Sequence, residues 1–174
     1  MERTKRKART KPAAEPVLLD AIDRKILDAL QDDNQITNLA LAARVGLSPP
    51  PCLRRVRRLR EAGVIVRDVA LVDPAMVGQT VTAFVGVELD RQREDVLASF
   101  ERKIAAEPDV QQCYFVSGEI DYLLVVTCRD LDSYNDFARR VLANEHNIKR
   151  FRTSFNLSRI KYETKISLAG VSAG

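Results

Sequence analysis

A chain of 174 residues, 45% of them apolar, is long enough for one domain or for two small ones with cores of their own. No apolar run reaches the length of a membrane span and none near the start resembles a signal peptide, so a membrane partner is excluded and a cytoplasmic location is expected. The formal net charge of +4 is unevenly spread: residues 1–75 hold 15 Lys and Arg against 10 Asp and Glu, whereas residues 76–174 hold 13 against 14, so only the first part offers excess positive charge to a polyanion.

In chain order, residues 1–16 are rich in Lys, Arg, Ala and Pro without apolar periodicity, which predicts a disordered basic arm able to touch phosphate. Asp20 is a candidate N-cap for a helix to about Gln31, with Ile22, Ile26, Leu27 and Leu30 at helical spacing. Thr37 caps a second short helix whose inner face is assigned to Leu39, Ala42, Ala43 and Val45, and Gly46 supplies the left-handed turn that ends it. Ser48 is expected to cap a third helix with Pro49 at its first position, where the missing N–H costs nothing.

That third helix carries five arginines, Arg54, Arg55, Arg57, Arg58 and Arg60, between apolar Leu53, Val56 and Leu59. One buried side and one basic side, directly after a helix and a tight turn, describe the recognition helix of a helix-turn-helix. Arginine reads guanine through paired bonds to O6 and N7 and also binds phosphate. The expected DNA contacts are Ser48, Pro49, Pro50, Pro51, Arg54, Arg55 and Arg58, with Arg57 and Arg60 assigned to phosphate contacts or surface ion pairs. Removing Arg55 and Arg58 is expected to abolish operator binding. The helix should end near Gly63, and the β-branched stretch 64–72 has the pattern of a wing strand before Asp73-Pro74.

From Thr80 the period changes. Residues 80–89, 110–116, 122–128 and 148–157 are strand-like, while 93–106 and 131–142 are amphipathic helices. The order βαββαβ is that of a ferredoxin-like half-sandwich, two helices on one face of a four-stranded antiparallel sheet. Strands such as Leu123-Leu124-Val125-Val126 alternate poorly for a half-solvated sheet, so the open face is expected to be covered by a second copy of the chain.

Cys52, Cys113 and Cys128 are scattered, and His146 has no partner at ligand spacing, so neither metal nor cofactor is expected. No Ser-His-Asp or Cys-His set and no phosphate loop argues for an enzyme. RNA binding on the sheet would need more exposed aromatics than Tyr114 and Phe115, with basic neighbours.

Three segments together carry a resemblance: Asp23-Arg24-Lys25-Ile26-Leu27; Val45-Gly46-Leu47-Ser48 followed by Pro49-Pro50-Pro51-Cys52-Leu53-Arg54-Arg55-Val56-Arg57-Arg58-Leu59; and Val116-Ser117-Gly118-Glu119-Ile120-Asp121-Tyr122-Leu123-Leu124. The chain resembles the Lrp/AsnC, or feast/famine, transcriptional regulators over about residues 19–168. The resemblance implies an α+β protein with an N-terminal winged helix-turn-helix at 17–73, a linker at 74–79, a C-terminal ferredoxin-like βαββαβ (RAM-type) effector-binding and oligomerisation domain at 80–168, and a disordered tail at 169–174. It implies double-stranded DNA as partner, homodimers assembling into tetramers or octamers, and a small-molecule effector, usually an amino acid, bound between sensing domains.

The effector site implied by the resemblance is Ser117, Gly118, Glu119, Ile120, Asp121 and Tyr122. Glu119 and Asp121 would meet the ligand's ammonium, and amides near Gly118 its carboxylate. Read without the resemblance, the same residues are an ordinary hairpin turn. The chain departs from the family pattern at Pro50, where a small or hydroxylated residue is common, and at Arg54 and Arg60, where acids are. A DNA-compacting architectural protein without an effector remains the alternative.

Overall fold

The computed structural model describes residues 17–91 and 93–168; the arm expected at 1–16 and the tail at 169–174 lie outside them. Two units separate, the first of residues 17–70 together with 161–168 and the second of Leu71–Ile160.

The first unit is built on three helices, α1 (Ala21–Asp32), α2 (Asn38–Val45) and α3 (Pro49–Glu61). Helix α1 begins in a reciprocal capping box. The Asp20 carboxylate accepts from the Asp23 amide at 2.7 Å, and the Asp23 carboxylate accepts from the Asp20 amide at 3.2 Å, satisfying amides that the helix itself leaves unpaired. Thr37 caps α2 through the Ala40 amide, and Gly46, with φ of 77°, closes it in the left-handed conformation while the Leu47 amide returns to Ala42. The inner face of α2 is Leu41, Ala42 and Val45. Leu39 is exposed, as is Ala43, because residues two apart on a helix cannot share a side with Leu41.

Ile26, Leu27, Ala29, Leu41, Ala42, Val45, Cys52, Val56 and Leu59 form the core of this unit. So small a core is marginal. It is extended by residues that sequence reading assigned to the other domain: Leu168 packs against it, the Gln31 amide exchanges two hydrogen bonds with the backbone of Ile166, and Lys165 pairs with Asp28 and Asp32 of α1. Deleting 161–174 is expected to cost this unit about 1 kcal/mol, mainly because Leu168 is no longer buried. Hydrogen exchange of the α1 amides measures it; unchanged protection would show that the segment only rests on the helix.

Among the described residues, 64–72 do not form the expected wing strand. They make no ladder bonds, and Val66, Val69, Leu71 and Val72 are exposed. The β-branched pattern favours extended backbone, but a strand exists only where another strand accepts its hydrogen bonds.

The second unit contains β1 (Val81–Leu89), α4 (Glu94–Ala105), β2 (Val110–Phe115), β3 (Tyr122–Cys128), α5 (Leu131–Phe137) and β4 (Ile148–Phe155); α5 runs on with wider π-type turns over Ala138–Ala143. The sheet is antiparallel in the order β2-β3-β1-β4, as the βαββαβ reading requires. Ala83, Val85, Val87 and Leu89 of β1, with Tyr122, Leu124 and Val126 of β3, bury one face against Leu97, Phe100 and Ile104 of α4 and Tyr134, Phe137 and Val141 of α5. Leu131, the first residue of α5, is exposed. Burial pushes the Cys128 thiol up to about 11, in keeping with a packing role. The other sheet face presents Phe84, opposite Val125, and Tyr114, opposite Leu123, with Phe84 and Tyr114 exposed.

Candidate nucleic-acid interface and ligand turn

Helix α3 buries Cys52, Val56 and Leu59 and thereby turns Pro50, Arg54 and Arg57, spaced at i, i+4 and i+7, to the opposite, exposed side. Ser48 occupies the N-cap position, yet its side chain makes no capping bond. The reason is local: Pro49, Pro50 and Pro51 fill the first three helical positions, so no N–H exists there for a hydroxyl to satisfy. The same prolines remove the amides with which a helix N-terminus ordinarily holds phosphate. The polar side chains left exposed along this helix include those of Ser48 and of arginines such as Arg54 and Arg57. The Asn38 amide donates to the Pro49 carbonyl at 2.9 Å and fixes the start of α3 against α2.

The five arginines are not equivalent. Arg60 pairs with Asp68 at 3.1 Å, in line with the ion-pair role assigned to it. Arg55 donates to Asp20 at 2.6 Å and to Asp23 at 2.9 Å, and Arg58 donates to the other oxygen of Asp23. Asp23 itself is only 1% exposed. The Asp23 amide and then Arg55 hold the Asp20 carboxyl below its ordinary value, while Asp20 and then Asp23 push the Arg55 guanidinium further up. Arg55 and Arg58 thus have partners in α1 that sequence reading did not foresee, although Asp three residues after an N-cap Asp, on the side of Ile26 and Leu27, was a legible sign of them. Arg54 and Arg57 enter no ion pair among the described residues.

In the second unit the turn between β2 and β3 is organised by Asp121. Its amide donates to Val87, its carbonyl accepts from Val116, and its carboxylate accepts from the Leu89 amide at 2.8 Å, where the β1–β4 register shifts. Asp121 is 2% exposed. Tyr122 is buried too, its ring between Phe100 and Phe115 and its hydroxyl on Glu101 at 2.8 Å. Ser117, Gly118 and Glu119 are exposed, Gly118 at φ of 134°, a conformation that favours glycine. Ile120 lies over Gly86, where a Cβ would meet it at 3.2 Å. The six residues of the turn are thus divided: three face solvent, Ile120 covers the sheet, and Asp121 and Tyr122 face inward.

Family models match both units: residues 19–66 match a winged helix-turn-helix DNA-binding model and residues 82–166 the Lrp/AsnC ligand binding domain. The leucine-responsive regulatory protein of Rhizobium meliloti is 43% identical over 152 residues, 87% of this chain and 97% of that one. The chain belongs to the Lrp/AsnC family. A solved transcriptional regulator of Neisseria meningitidis, in complex with L-Met, superposes with a TM-score of 0.82 at 36% identity over 87% of this chain and 97% of that one. An AsnC family regulator of Agrobacterium tumefaciens does so with a TM-score of 0.82 at 39% identity, covering 86% and 97%.

As an Lrp/AsnC member the chain is a DNA-binding transcriptional regulator with a ligand-binding domain. Helix α3 is the second helix of its helix-turn-helix, and the 117–122 turn lies within the family's ligand-binding domain. Among the described residues no helix is long and apolar enough to cross a membrane.

Proposed function

We propose that this Lrp/AsnC regulator reads double-stranded DNA with the exposed side of α3 and adjusts that binding to an amino acid. The DNA contacts in this reading are Ser48, Pro49, Pro50, Pro51, Arg54 and Arg57, with Arg55 and Arg58 shaping the surface of α3 through their ion pairs to Asp20 and Asp23 at the start of α1. The observation that carries it is the exposed Pro50-Arg54-Arg57 row on a helix whose other side is fully packed, in a chain that also has a ligand-binding domain.

The effector would sit beside the exposed part of the turn, Ser117, Gly118 and Glu119, with Ile120 as its apolar neighbour; Asp121 and Tyr122 support the turn from behind. An amino acid is favoured because relatives carry leucine in their name or were solved with L-Met. The exposed aromatics Phe84 and Tyr114, on the sheet face that also carries Leu123 and Val125, suit a homodimer joined through the sheets and assembling further. The protein acts in the cytoplasm, on the nucleoid, and performs no catalysis. An architectural role without effector is less well supported, since it leaves the ligand-binding domain without a task.

Titrating each of the twenty amino acids against thermal unfolding tests the effector reading. A ligand at 100 times its Kd stabilises the folded state by about 2.7 kcal/mol, a shift of several degrees. If no amino acid moves the melting temperature, the DNA affinity or the assembly state, the reading fails.

A further inference from the structure

We infer that Asp23 is a positioning residue that governs DNA selectivity, by holding Arg55 and Arg58 against α1 and keeping them off the phosphate backbone. The inference deepens the reading of α3 as the DNA-contacting helix, and rests on it. Both oxygens of a carboxylate that is 1% exposed are committed: Oδ1 to Arg55, Oδ2 to Arg58 and to the Asp20 amide. Arg55 is further tied to Asp20 at 2.6 Å. For either arginine to swing out to phosphate it must strip compensation from a charge that water does not reach, which a solvated phosphate contact does not return. Arg54 and Arg57 face no such cost. A helix with five arginines would otherwise bind any duplex tightly, because each phosphate neutralised adds to affinity regardless of sequence. Asp23 thereby divides the basic helix into a clamped pair and a reading pair.

The test is the salt dependence of binding to a duplex lacking the operator, measured by fluorescence anisotropy on the full chain. Each phosphate contact contributes about 0.9 to the slope of log K against log salt. Asp23→Asn keeps an acceptor for the capping box but releases the arginines, and is expected to steepen the slope by about 1 to 2 and to raise affinity at low salt. An unchanged or shallower slope in a variant that is folded by circular dichroism would overturn the inference. The triple variant Asp23→Asn, Arg55→Gln, Arg58→Gln has no buried charge to orphan and remains testable if Asp23→Asn does not fold. Its slope is expected to match the native protein; a slope shallower by about 2 would mean that Arg55 and Arg58 contact phosphate in the native complex, and would equally overturn the inference. Failure here leaves the α3 reading standing, since that reading is tested separately by Arg54 and Arg57.

Discussion

Replacing Arg54 and Arg57 together by Ala is expected to weaken DNA binding by about 60-fold per half-site at 0.1 M salt and to flatten the salt slope by about 1.8. In the proposed reading each arginine meets one phosphate, and each phosphate neutralised contributes about 0.9 to that slope. Both side chains are exposed on α3, opposite its buried residues, so the melting temperature should stay within a degree or two of the native value. A gel-shift or anisotropy series from 50 to 300 mM salt measures both quantities. Native affinity and slope in the double variant would remove α3 from the interface.

The corresponding experiment on Arg55 and Arg58, which the sequence alone recommends, is a poor discriminator. Both residues neutralise Asp23, so their removal leaves a buried carboxylate without a counter-charge. Weakened binding would then accompany a loosened α1–α3 packing, and the two causes would be read as one.

Asp121→Ala is expected to destabilise the ligand-binding domain by about 2–3 kcal/mol, since the charge-assisted hydrogen bond disappears and the buried Leu89 amide is left without an acceptor. For a domain of this size that is roughly a 10–20 °C fall in melting temperature. Any loss of effector response in that variant would be uninformative, but Asp121→Asn separates the roles. The amide oxygen can still accept from Leu89, so the domain should melt near the native temperature and still respond to its amino acid. A stable Asp121→Asn protein blind to the effector would show instead that the carboxylate charge meets the ligand, as the resemblance first suggested.

Much of the architecture was legible in the sequence because it depends on local rules. The caps at Asp20 and Thr37, the glycine at 46 and the proline at 49 mark helix ends through single backbone groups, and the α2 and β3 boundaries agree with the periodicity residue for residue. The order of elements specified the sheet topology, because βαββαβ with helices on one face leaves few ways to pair four strands. What misled was anything requiring a neighbour. The stretch 64–72 has strand composition but pairs with no strand among the described residues, and Leu39 competed with Leu41 for one side of α2, a choice made only by how α2 seats on its partners.

At the candidate sites the division is similar. The residue types and their placement on α3 and on the 117–122 turn came from the sequence, as did the family. Which arginines are held in ion pairs, and which acids are spent on structure, did not. Ion pairs such as Asp23 with Arg55 and Arg58 join residues more than 30 positions apart, and a glycine such as Gly86 reveals its purpose only when Ile120 is found lying over it.

The sequence by itself determined the two domains, the helix-turn-helix and the basic character of its third helix, because capping, periodicity and charge act over a few residues. Only the tertiary structure decided that two of five arginines are clamped by a buried aspartate, that Asp121 holds a turn together, and that Leu168 packs on the core of the helix-turn-helix unit. Burial and counter-charge are properties of what packs against a side chain, and packing brings together groups that the chain keeps far apart.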